Sequence, residues 1–208
     1  MKITKPLNRI LDSEAKIEIL RFLCGTGAEW NGRQIAKEIG VTPATAHKAL
    51  NSLNNEGMLI LRNMGKTHVY SLNTDNIMVK DMLKPLFFKE SEVLCGILKT
   101  IKKHIRKSKI KDGIISAVLF GSVNAKQDHS MSDIDVAVVV KTCKVKAKTE
   151  ISFEEIDREI SSKFGNTVSA YINTKAEFKS KKKANMAVIK NILKGYTLIY
   201  GKKIEGVI

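Results

Sequence analysis

No apolar run in this chain of 208 residues approaches the roughly 18 that a membrane-spanning helix needs. The opening Met1-Lys2-Ile3-Thr4-Lys5-Pro6 has no apolar export segment either. Cysteine is sparse and scattered. Cys24, Cys95 and Cys143 form no CxxC pair, which excludes a zinc knuckle and a disulfide framework and points to reduced thiols in the cytoplasm. No internal repeat or low-complexity segment is present. Acidic side chains are the scarcer charge, 21 Asp and Glu against 36 Lys and Arg, for a net +15. A surplus of that size attracts polyanions such as nucleic acid or nucleotide phosphates.

The surplus is uneven. Residues 1–75 hold 10 basic and 7 acidic side chains, whereas residues 76–208 hold 26 and 14. Basic clusters fall at 99–111, 141–148 and 175–183. Hydrophobic content of 43% is enough for two small cores.

Asp12-Ser13-Glu14 predicts a helix start, followed by an apolar stripe of Ile17, Leu20, Leu23 and Cys24 that Gly25 and Gly27 end. Asn31 with Gln34 three residues on reads as a capping box. The helix it opens buries Ile35, Ala36 and Ile39. Thr42 caps a third helix with Pro43 at its first position, where the missing N–H costs nothing. Ala46, Ala49, Leu50 and Leu53 are its apolar face. Ala44, Thr45, His47, Lys48, Asn51 and Ser52 are left for the outer surface, small or hydrogen-bonding residues that suit a DNA major groove. Residues 58–62 and 67–72 flank Asn63-Met64-Gly65-Lys66 and predict a hairpin decorated by Arg62, Lys66 and His68.

Three helices and a β-ribbon over about residues 10–75 resemble the winged helix-turn-helix transcription regulators. The segment "GRQIAKEIGVTPATAHKALNSLNNEGMLI" carries the resemblance. It implies that residues 42–55 enter the major groove while the ribbon touches backbone. The DNA-binding candidates are Thr42, Thr45, His47, Lys48, Asn51, Arg62 and Lys66. Residues 76–85 read as a connector interrupted at Pro85, followed by one long helix over 86–107.

The chemistry is concentrated in the second half. Residues 114–120 include β-branched and aromatic residues in a strand pattern, ended by Gly121-Ser122. After ten intervening residues, 123–132, comes Asp133-Ile134-Asp135, leading into the apolar Ala137-Val138-Val139-Val140. Strand side chains alternate, so the two acids share one face and repel unless a cation sits between them. A Gly-Ser turn lets backbone N–H groups and a hydroxyl approach a phosphate. Mg²⁺ favours a few carboxylates plus substrate phosphate oxygens. His129 reads as a solvated loop residue, and Phe120 and Met131 as core. Phe153, Ile156 and Ile160 predict a helix over the sheet, Ala187, Ile189, Ile192, Leu193 and Tyr196 a last one, and residues 197–200 a closing strand.

Phe120-Gly121-Ser122 and Ser132-Asp133-Ile134-Asp135 at this spacing resemble the nucleotidyltransferase superfamily of DNA polymerase β in its minimal prokaryotic form, over roughly residues 86–200. Ala125-Lys126 falls where relatives often carry Ala-Arg, and Gln127 where glycine is common. The resemblance implies a small mixed sheet with flanking helices. It implies Gly121, Ser122 and Lys126 for the triphosphate, and Asp133 and Asp135 as catalytic acids holding Mg²⁺ or Mn²⁺. A third carboxylate is usual on the next strand, but residues 167–172 contain none and Glu177 comes later.

The expected architecture is α+β: a winged helix-turn-helix at 1–75, a connector at 76–85, and a nucleotidyltransferase-like domain at 86–208. The expected function is cytoplasmic DNA binding with Mg²⁺-dependent transfer of a nucleoside monophosphate from a nucleoside triphosphate to an acceptor hydroxyl. The expected partners are DNA, nucleotide, a protein acceptor such as a helical toxin, and a second copy in a homodimer, with no membrane. Without the third acid, a non-catalytic regulator that senses nucleotide or oligomerises is the alternative.

Overall fold

In the computed structural model, which describes residues 2–129 and 132–207, the chain divides into two units, Met1–Glu92 and Val93–Ile208. Met131, expected in the core, lies outside the described residues.

In the first unit, a short helix α1 (Leu7–Ile10) precedes α2 (Glu14–Thr26), which Gly27 ends in the left-handed region at φ 62°. The buried stripe of α2 is broader than its apolar pattern. Ile19, Leu20 and Leu23 are buried, Ile17 and Cys24 are half-buried, and Lys16 is only 7% exposed. The Lys16 ammonium donates to the Arg9 carbonyl at 2.7 Å and pairs with Asp12 at 2.9 Å, which offsets the cost of removing a charge from water. A two-residue strand β1 (Trp30–Asn31) leads into α3 (Gly32–Glu38). Asn31 accepts from Gln34 N at 2.9 Å while Gln34 Oε1 accepts from Asn31 N at 3.1 Å, the reciprocal cap expected. Thr42 caps α4 (Pro43–Asn55) through the Thr45 N–H.

Strands β2 (Leu59–Met64) and β3 (Thr67–Leu72) form the hairpin. Met64 pairs with Thr67, so the loop is Gly65-Lys66, with Gly65 at φ 61° as a tight twisted turn demands. The sheet order is β1-β3-β2, so β1 adds a third strand that the sequence pattern did not show. Leu20, Leu23, Leu50, Leu53 and Tyr70 meet in one core.

The stretch expected as a connector and one long helix divides differently. Met78–Leu83 is a π-helical turn running into α5 (Lys84–Ser91), and α6 (Val93–Lys107) opens the second unit. Val79, Leu83 and Phe87 bury themselves in the first core, so packing carries the helix past Pro85. Pro85 stands where the π-helical turn passes into α5. Arg21 also pairs with Glu90 at 2.7 Å, binding α5 to α2.

The second unit continues with β4 (Ile114–Leu119), the single turn α7 (Gly121–Asn124), β5 (Ile134–Val140), α8 (Cys143–Phe164), β6 (Val168–Thr174), α9 (Lys175–Lys183), α10 (Ala187–Lys194) and β7 (Thr197–Gly201). The sheet order is β6-β5-β4-β7, parallel between β5 and β6 and antiparallel elsewhere. Ile101 and Ile105 of α6 and Phe153, Ile156 and Ile160 of α8 cover one face over Val136, Val138 and Val140. Phe178, Ile189 and Ile192 of α9 and α10 cover the other over Ala137 and Val139. A strand buried on both faces must be apolar at every position, which accounts for the run from Val136 to Val140.

Replacing fully buried Ile156 by Ala leaves a cavity between α8 and the sheet. The second unit should lose about 2–5 kcal/mol, read as a lower denaturant midpoint with an unchanged slope.

Candidate functional site

The Gly-Ser turn and the paired acids come together at one end of β4 and β5. The Phe120 N–H donates to the Asp135 carbonyl at 3.0 Å, which holds the start of α7 alongside the start of β5. Gly121 stands at φ 78°. A Cβ built there would fall 2.2 Å from Asp135 Oδ2 and 3.0 Å from its Cγ. The Asp135 carboxylate is therefore packed on the bare α-carbon of Gly121, and only glycine fits both the conformation and the contact. Ser122 follows on the same turn, half-buried. The Gln127 N–H donates to the Ser122 carbonyl at 2.9 Å, and Lys126 takes a left-handed conformation at φ 56°, exposed. Asn124 Oδ1 accepts from Thr197 Oγ1 at 2.8 Å, so β7 braces this turn.

Asp133 is exposed just ahead of β5, and its carboxylate accepts from the Thr167 hydroxyl at the foot of β6. Burial first, and the neighbouring Asp133 charge second, push the Asp135 carboxyl above its ordinary value of 3.8. Both causes disfavour the second negative charge, and a cation between the acids relieves both. The donor set thus fits a divalent cation held by Asp133 and Asp135. Among the described residues, no third His, Cys, Asp or Glu joins them in a metal-holding group.

Glu177 does not reach this end. Asp135 pairs with Ser169 in the β5–β6 register, whereas Glu177 lies beyond Thr174 at the opposite end of β6. Five residues of strand separate Ser169 from Thr174, about 16 Å. There Glu177 caps α9, accepting from Thr174 N at 2.7 Å and from Lys146 Nζ at 3.0 Å. These bonds hold its carboxyl below the ordinary range. Thr167 and Ser169 were not singled out from the sequence, and only the strand register reveals them. His129 is exposed in the loop, as expected, and Phe120 is buried.

On the first unit, Thr42, Thr45, His47, Lys48, Asn51, Arg62 and Lys66 are all exposed. His47 and Lys66 line a cavity of about 500 Å³ with Arg33 and His68, between α4 and the hairpin. Thr45 and Lys48 line another of about 480 Å³ with Ser52 and Lys16, against the start of α2. Thr42 is occupied as the cap of α4, its hydroxyl 2.9 Å from that of Thr45. Asn51 Nδ2 lies 3.3 Å from His47 Nδ1, and Arg62 pairs with Glu29 at 3.2 Å. Arg33, one residue into α3, is an additional cation at this surface that the sequence reading missed.

A four-stranded mixed sheet with a glycine-serine turn packed against paired strand acids defines a nucleotidyltransferase-type domain. The family model "Polymerase beta, Nucleotidyltransferase" matches residues 99–205, just over half of the chain, and the chain belongs to that family. The model of the IclR helix-turn-helix domain matches residues 17–60. Among solved structures, reduced HlyU from Vibrio cholerae is similar at 21% identity over 39% of this chain and 81% of its own, with a TM-score of 0.34. The transcriptional repressor BigR from Xylella fastidiosa is similar at 18% identity, covering 40% and 81%, with a TM-score of 0.35. A toxin-antitoxin structure with AMP-PNP is similar at 18% identity, covering 52% and 76%, with a TM-score of 0.36. No curated protein matches the chain.

Because the folded state raises the Asp135 carboxyl, the native protein holds more protons than the unfolded chain between the ordinary and the raised value, and stability falls as pH rises through that window. In divalent-free buffer at pH 7, Asp135→Asn should therefore melt higher than the parent. The gap should close as pH drops toward the ordinary carboxylate range, and thermal denaturation across pH checks it.

Proposed function

We propose that this chain is a DNA-binding regulator whose second unit binds a magnesium nucleoside triphosphate and transfers its nucleoside monophosphate to an acceptor hydroxyl. The observation that carries this reading is the contact of the Asp135 carboxylate with the Gly121 α-carbon. It supports reading Asp135 and the Gly121-Ser122 turn as parts of one site rather than as two ends of a loop. Backbone N–H groups of the turn and the Ser122 hydroxyl are the donors for the triphosphate tail. Asp133 and Asp135 would hold Mg²⁺, with Thr167 orienting Asp133. Bound there, Mg²⁺ supplies charge neutralisation between the acids and polarisation of phosphoryl oxygens. In the transfer, the acceptor oxygen bonds to the α-phosphorus, the bond from that phosphorus to the bridging oxygen breaks, and pyrophosphate leaves. The acceptor proton goes to solvent.

A second reading rests on Ser169. The register sets a neutral hydroxyl, not an acid, beside Asp135 on β6, and Glu177 is committed to a helix cap. This favours a site that binds nucleotide as a signal without turning it over. For the first unit, the exposed outer face of α4 and the cations around it support duplex recognition, with Lys48 against phosphate or guanine.

Radiolabelled ATP with Mg²⁺ and cell lysate separates the two readings. Label transferred to an acceptor by the parent, and lost with Asp133→Asn, supports transfer. Retained ATP binding with no label in any band supports sensing.

Lys48→Ala should weaken binding to a duplex carrying the chain's own upstream sequence by about 1–3 kcal/mol. A gel-shift titration at several salt concentrations reads this, and unchanged affinity at all of them would remove Lys48 from the interface.

A further inference from the structure

A cavity of the second unit lies at the other end of its sheet from Asp133 and Asp135. It measures about 720 Å³ and is rimmed by five cations, Lys102, Arg106, Lys111, Lys141 and Lys202, against one carboxylate, Asp112. Four parts of the fold bring them together. Lys102 and Arg106 are four residues apart on α6, hence on one helix face. Lys111 is in the turn before β4. Lys141 follows β5, its N–H donating to the Gly113 carbonyl at 2.9 Å. Lys202 follows β7, its N–H donating to the Ile115 carbonyl at 2.9 Å. The backbone thus fixes where Lys141 and Lys202 leave the sheet. Among the described residues, none of the five cations has an ion-pair partner within 4.0 Å. Elsewhere in this unit Lys146 and Lys163 do have one. Convergent, unpaired cations repel one another, and a polyanion removes that repulsion.

Two lining residues narrow the class of polyanion. Leu198 is 40% exposed, and Tyr200 is half-buried, its hydroxyl donating to the Lys111 carbonyl at 3.4 Å. Unpaired bases stack on such surfaces while cations track the backbone. The volume is that of a pocket for one small ligand, roughly 300–1,000 Å³, too small for a duplex but sufficient for unpaired nucleotides. Arg106 adds a planar fork suited to a phosphate. An acidic peptide would satisfy the charges and leave Tyr200 and Leu198 without a counterpart.

We propose that this basic cavity binds single-stranded nucleic acid, with phosphates against Lys102, Arg106, Lys111, Lys141 and Lys202 and a base against Tyr200 and Leu198. The site is independent of the nucleotide chemistry assigned above, because the Asp133 and Asp135 end of the sheet takes no part in it.

Fluorescence anisotropy of the full chain with a labelled 12-mer of uridine or deoxythymidine tests this. The parent should bind with a salt dependence near −0.7 in log affinity per phosphate neutralised. Charge reversal at three exposed positions, Arg106→Glu with Lys141→Glu and Lys202→Glu, should weaken binding at least tenfold and flatten the salt slope. A melting curve matching the parent's shows that this protein is folded. The milder Arg106→Ala and Lys141→Ala double variant should lose affinity in the same direction. Asp133→Asn should bind the oligonucleotide as the parent does, so a dead nucleotide site leaves this result untouched. Undiminished binding by the folded charge-reversed variant overturns the proposal. So does displacement of the oligonucleotide by polyglutamate as effectively as by unlabelled oligonucleotide, which would assign the cavity to an acidic protein segment.

Discussion

One contact organises the glycine-serine end of the second unit: a carboxylate resting on an α-carbon that has no side chain. Asp135 can sit there because Gly121 leaves the space and takes a conformation that L-residues avoid. The position of Asp135 is in turn held by its strand. β5 is covered on both faces, so its pleat cannot roll without exposing Val136 or Val139 to water. The hydrogen bond from Phe120 to the Asp135 carbonyl then ties the turn to that immobile strand. A rigid apolar strand is what allows two like charges to be held close together against their repulsion.

The same contact divides the residues the sequence could place from those it could not. Gly121, Ser122, Asp133 and Asp135 were legible because glycine turns and strand alternation are local rules. The Asn31 and Thr42 caps were legible for the same reason, each spanning three residues. Ser169 was not, since the residue opposite Asp135 depends on how a strand 34 residues away aligns in parallel. Nor was the loss of Glu177 to a cap, which required knowing where β6 stops. The break at Glu92 and the burial of Lys16 are likewise long-range outcomes. In the first, Phe87 packing into the core outweighs the proline signal. In the second, a carbonyl and Asp12 make a buried ammonium tolerable.

Charge in the second unit is arranged along its sheet rather than spread over it. The acids stand where β4 ends and β5 begins; Lys111 and Lys141 stand where β4 begins and β5 ends. An antiparallel pair sends those two ends apart by the length of the strands, about 20 Å for seven residues. Exposed charges that far apart are largely screened from each other at physiological salt, where the Debye length is about 8 Å. Lys111 and Lys141 therefore do little to neutralise the acid pair.

That same geometry limits what the acid pair can do to a bound acceptor. Proton removal by a positioned base is worth about 10²–10⁴ in rate. On the Asp135 face of β6 the successive side chains are Ser169, Tyr171 and Asn173, none of them a base at neutral pH. The nearby Lys181 ammonium is occupied, donating to Asn173 Oδ1 at 2.6 Å and lying 4.8 Å from the Tyr171 ring centroid. A hydroxyl beside a carboxylate donates to it more readily than it accepts a proton, so Ser169 is no substitute for a general base. Any transfer at this site must draw on the acidity of the acceptor and on charge stabilisation at the phosphates, without a side-chain base on β6. For the transfer proposed above, an acceptor whose oxygen is already easily ionised, or one delivered with its own base, fits that constraint.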